Sequence, residues 1–189
     1  MAPTVTLEHL EQAWHALMPP RPAGAPKGKA RWNDQAGRDF HRDCTELATL
    51  LIDAMESDFS TPPMAHATLR LAIVMHRAFH LAGAAFAPLS RRDVLALLDA
   101  EDNWRAQTAT LPPPILQQAE QDRLTAIPNH ALLVSLIGFL MDTQSQAKAH
   151  ALDDEAFSDL SAASHLLHIS LAALNLAAAR AAETPTPAV

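Results

Sequence analysis

A chain of 189 residues that is 49 % hydrophobic can build one core, and two stable domains would be cramped in it. Its net charge of −7 disfavours generic nucleic-acid binding. With one cysteine, Cys44, no internal disulfide can form, which fits a reducing compartment.

The first element runs from Leu7 through Leu10, Trp14, Leu17 and Met18 at helical spacing, with Thr6 as its cap and Pro19-Pro20 as its stop. Residues 19–33 are rich in Pro, Gly and cations and read as a flexible connector. Charge is concentrated there: over 21–42, six Lys or Arg face only Asp34 and Asp39, leaving the rest of the chain at −11. A basic patch on an acidic body suits either an acidic partner or a solvated loop.

A second helix is predicted from Asp34 to Ser57, with Phe40, Cys44, Leu47, Leu51, Ala54 and Met55 on its apolar face. A third starts at Ser60 or Thr61, places Pro62 near its first position and stops at Gly83. Ser90 and Asp93 form a capping box for a fourth, and Pro112-Pro113-Pro114 separate it from a short fifth. A sixth runs from Pro128-Asn129 to about Ala151, and a seventh from Asp153 or Asp154 towards Ala182, ahead of a disordered tail at 184–189. Strand alternation and internal repeats are missing. The expected fold is all-α: a single-domain antiparallel bundle of six or seven helices spanning 1–183.

Residues 1–11 show no basic segment followed by an apolar run, so no secretory signal is expected. The longest apolar stretch, Ala131 to Met141, is broken by Ser135 and Gly138 and falls short of the ~20 residues that span a bilayer. A cytoplasmic protein without membrane contact is expected.

Ten histidines are the unusual feature. His76 and His80 lie four apart on one helix face, the minimal spacing for two imidazoles to meet one divalent ion. His66 lies on a similar stripe. Asp53, Glu56, Asp142 and His150 are the further candidate ligands, and the Glu-x-x-His and His-Glu-x-x-His patterns are both missing. The spacing of Arg70 and His76 resembles the Arg-x4-6-His motif of HEPN-type ribonucleases, which are helical bundles. The family's polar residue after the arginine is Leu71 here, and six residues of helix turn the pair by about 600°, to opposite sides. His41 and Cys44 pair a base with a nucleophile, but Cys44 falls on an apolar stripe and reads as a buried thiol.

The last helix carries two apolar stripes. Phe157, Leu160, Ser164, Leu167, Leu171 and Leu174 trace one; Leu166, Ile169, Ala173 and Leu176 trace the other. Ser161, His165, His168 and Asn175 form a polar seam between them. Two stripes make the helix central in the bundle or shared with a partner or a second copy. Leu166, Ile169 and Leu176 with the seam are therefore the ligand or interaction candidates, and His76 and His80 the metal candidates. No catalytic residue and no cofactor is expected. The ranking is a non-enzymatic protein-interaction or regulatory module, then a helical small-molecule-binding domain, then a His-based metal-dependent enzyme or nuclease.

Overall fold

Among the residues described by the computed structural model (2–18, 34–147 and 154–184), the chain forms eight helices and no strand. They are α1 (Leu7–Leu17), α2 (Asp34–Asp43), α3 (Thr45–Ser57), α4 (Pro62–Leu81), α5 (Arg91–Thr108), α6 (Pro113–Ala126), α7 (His130–Ala147) and α8 (Asp154–Glu183). The connector 19–33 and the tail from 185 onward lie outside the described residues.

The count is eight rather than six or seven because the predicted second helix is two. It breaks at Cys44, whose φ of −135° and ψ of 47° leave the helical region. Neither Pro nor Gly marks the break. At the break Thr45 Oγ1 donates to the His41 carbonyl at 2.8 Å, a bond of the kind that Thr49 and Thr68 also make inside unbroken helices. The break leaves Asp43 as the last residue of α2.

The other ends follow sequence chemistry. Thr6 and Ser90 form capping boxes with His9 and Asp93. Pro62 opens α4, and its end is a Schellman motif: Gly83 N–H reaches His80 O at 3.0 Å and Ala84 N–H reaches Phe79 O at 2.9 Å. That motif requires Gly83 at φ 83°, a conformation costly for any residue with a Cβ. It also turns the following loop so that Phe86 returns over the face of α4.

Helices α4 and α8 are central. α4 packs against α1, α2, α3 and α8, and α8 packs against α3, α4, α5 and α7. One core runs through Leu17, Phe40, Leu51, Met75, Phe79, Leu132 and Leu167. α8 is long and apolar enough to cross a membrane by length and composition, yet most of it is buried within the bundle. Both its stripes are covered: Leu167, Leu171 and Leu174 are buried on one side, Leu166, Ile169 and Ala173 on the other. Leu176 is half-buried and Phe157, near the start, is exposed. Polar ties fix the helix in register. Asp159 accepts from the backbone N–H groups of Ser60 and Thr61 and so caps α4 from outside. Arg180 donates twice to Asp93, at 2.8 Å each, joining α8 to α5.

Candidate functional site

His76 and His80 lie one turn apart on α4, facing the end of α2 where the chain breaks. Their Nε2 atoms converge on one oxygen, Oδ2 of Asp43, at 3.3 Å from His76 and 3.0 Å from His80. The three ligand atoms all lie within 4.8 Å of one another. The His80 contact is a hydrogen bond. The His76 approach is off the line a hydrogen bond needs, and His76 is only 2 % exposed, so its Nε2 is buried beside the carboxylate without a hydrogen bond. A buried nitrogen left so is unfavourable by about 1–3 kcal/mol.

The surroundings hold the three groups in place. Phe86 stacks on His76 at 4.9 Å and 24° and meets His80 edge-on at 5.0 Å, while Phe40 meets His76 edge-on at 5.4 Å. Arg42 donates from Nε to Asp43 Oδ1 at 2.8 Å and from Nη2 to Oδ2 at 3.3 Å, which orients the carboxylate. Electrostatics keep the set ready to donate lone pairs. Burial pushes the His76 imidazole down to about 4, with the charge of His80 adding and Asp43 opposing. Burial alone would raise Asp43, but hydrogen bonds from Arg42 and His80 outweigh it and hold the carboxyl below its ordinary value. At neutral pH the site therefore presents a neutral buried imidazole beside a carboxylate.

Two imidazoles and a carboxylate are ligands for a divalent transition ion. An ion with bonds of about 2.0–2.2 Å holds neighbouring ligand atoms roughly 3.0–3.5 Å apart. The 3.0 and 3.3 Å separations already have that spacing. Three ligands leave at least one coordination position free. His76 and His80 also line a cleft of about 310 Å³, walled by Ala16 and Leu17 of α1, Gln35, Ala36, Asp39 and Arg42 of α2, and Arg77 of α4.

Compared with known proteins, the chain matches no family model, no curated protein and no solved structure.

The pair His76 and His80 was legible in the sequence; its carboxylate partner was not. Asp53, Glu56 and Asp142 are exposed, His66 is exposed, and His150 lies outside the described residues. Asp43 carried one signal: it sits between Phe40 and Cys44 at the edge of the apolar stripe. Arg70 is exposed whereas His76 is buried, so the two sit on different sides of α4 as the helix rotation requires. Cys44 is buried and His41 exposed; burial first, then Asp43, pushes the thiol up to about 12.

The seam of α8 divides into two structural sets. Ser161, His165 and His168 face a polar cluster on α5 and α6. There the buried Glu101 is paired with Arg105 at 3.1 Å and with Arg123, whose guanidinium lies 4.1 Å over the Trp104 ring. Arg105 reaches Ser161 Oγ at 3.4 Å, and His165 Nε2 is 3.5 Å from Asp102. His168 Nδ1 is 2.8 Å from the Ser164 carbonyl. Asn175 works elsewhere: it accepts from Asn129 and donates to the Pro128 carbonyl, both at 2.8 Å. Asn129 in turn holds Pro3 and Val5, so this pair fastens the N-terminal segment to the α6–α7 turn. Leu166 and Ile169 pack in the core, and the face they make is internal.

Proposed function

We propose that this chain is a helical metal-binding domain that holds one divalent transition ion on Asp43, His76 and His80 at the base of an open cleft. The observation that carries the reading is the convergence of His76, His80 and Asp43, with the buried Nε2 of His76 making no hydrogen bond. An ion gives that nitrogen a partner and replaces the proton in the His80–Asp43 contact. Ligand type favours Zn, Fe, Co or Ni over Mg or Ca, which prefer oxygen alone. A water in the free position would be acidified by the ion, the basis of metal-assisted hydrolysis. This is the metal-dependent reading that composition ranked third, and the convergence at Asp43 moves it to first.

The test is uptake of cobalt(II) and zinc by untagged, metal-stripped protein. We expect one ion per chain, a visible cobalt spectrum of low coordination number, and loss of binding in Asp43→Asn, His76→Ala and His80→Ala. Absence of stoichiometric uptake by the folded wild type would overturn the reading.

A second reading, the protein-interaction or regulatory module, draws support from large apolar side chains at the surface: Ile115 on α6, Val134 on α7 and Phe157 on α8. In its simplest form the partner is a second copy of the chain. Sedimentation from micromolar to near-millimolar concentration tests it: a dimer sustains it, and a monomer throughout removes it.

A further inference from the structure

Resting on the metal reading above, we infer that the cleft receives a small oxyanion, a carboxylate or a phosphate, held jointly by the ion and the guanidinium of Arg77. Arg77 follows His76 on α4, is exposed, and lines the same cleft. Its side chain makes no hydrogen bond or ion pair among the described residues. The other arginine of the cleft, Arg42, is committed to Asp39 at 3.0 Å and Asp43 at 2.8 Å. Arg77 is therefore the cleft guanidinium whose donors remain available.

Charge balance points the same way. Without an ion, Arg42 and Arg77 are matched by Asp39 and Asp43. A divalent ion on the two imidazoles and Asp43 adds two positive charges with no further carboxylate in the cleft lining to compensate them. An anion bridging the ion's free position and Arg77 neutralises that excess. A guanidinium offers paired N–H donors in the plane that carboxylate and phosphate oxygens match, so it orients the ligand as well as attracting it. The volume of about 310 Å³ lies at the small end of ligand sites, which suits a ligand of few atoms rather than a chain segment.

Cobalt(II)-loaded full-length protein is titrated separately with acetate and with inorganic phosphate, following the visible cobalt band. We expect a saturable change with at least one of them; the tighter-binding probe identifies the oxyanion class. Arg77→Gln should take up cobalt as wild type does and bind the anion at least about tenfold more weakly, with part of the affinity restored in Arg77→Lys. By calorimetry, metal-free protein should show no anion binding. If cobalt is not bound at all, the metal reading fails and this inference with it. If cobalt is bound but neither probe alters its band, only the inference fails. An equal response in wild type and Arg77→Gln would show the ion acting alone and overturn the role given to Arg77.

Discussion

His76 Nε2 and Asp43 Oδ2 stand 3.3 Å apart, both largely withdrawn from water, and do not hydrogen-bond. An apolar side chain in place of His76 would remove a buried acceptor at no loss of hydrogen bonding. In metal-free protein we therefore expect His76→Leu to be as stable as wild type or more stable by about 1 kcal/mol, read from urea unfolding in the presence of a chelator. Zinc should then raise the midpoint of wild type and leave the variant unchanged. A loss of more than about 2 kcal/mol in the chelated variant would mean that His76 is a structural residue.

Much of this arrangement was legible in the residues, and what was not has a physical reason. Caps are local, so Thr6, Ser90 with Asp93, Pro62 and Gly83 fixed four helix ends from sequence alone. The break at Cys44 falls where neither Pro nor Gly stands, so no breaker residue announces it. It hides one helix and, with it, the position of Asp43. The spacing of His76 and His80 is a property of one helix, whereas their convergence on Asp43 joins positions 33 and 37 residues away. Likewise the α8 seam showed its polar residues, but not that Glu101, Arg105 and Arg123 face them.

Protonation of His168 should weaken the fold in mild acid. Burial pushes this imidazole down to about 4, with the Ser164 carbonyl opposing and the charges of Arg123, Arg105 and His165 adding. The unfolded chain binds the proton near pH 6.5 and the folded chain only near 4, so unfolding takes up a proton between these values. Stability is full above pH 6.5 and falls as the pH drops towards 4, by about 2 kcal/mol after allowing for partial exposure. In His168→Gln the decline over this window should be shallower by that amount. Parallel wild-type and variant curves, from urea midpoints at several pH values, would remove His168 from the account.

Glu101 is 4 % exposed and lies between Arg105 and Arg123, so its charge is the counterweight to two partly buried cations. Glu101→Gln keeps the shape and deletes the charge. We expect a loss of about 2–4 kcal/mol, because both guanidiniums keep their desolvation without compensation. Replacing Arg123 by Leu in the same background should recover part of it. A double-mutant cycle from denaturant unfolding measures the coupling.

Cys44 should be inert in the folded protein. Its thiol is buried and raised to about 12, so the reactive thiolate is scarce at pH 8. Ellman's reagent should label one thiol per chain in denaturant and react only slowly without it. Rapid labelling of native protein would show that the segment joining α2 and α3 opens readily.

Ile169 tests whether the second stripe of α8 serves the core or a partner. It is 1 % exposed, with Leu166 and Ala173 buried beside it on the same face. Burying one such side chain contributes about 1.5–3 kcal/mol, and Ile169→Glu forfeits that term. The carboxylate must then either stay charged in an apolar interior or take up a proton, and each route is unfavourable by several kcal/mol. Together these losses approach the whole stability of a domain, about 5–15 kcal/mol. We expect Ile169→Glu to lose its helical circular dichroism signal or its cooperative thermal transition. A stripe reserved for a second copy behaves differently: the same substitution would give a folded, soluble monomer from a wild-type dimer. Circular dichroism and sedimentation on both proteins distinguish the cases, and a folded variant would return α8 to the surface as an interface.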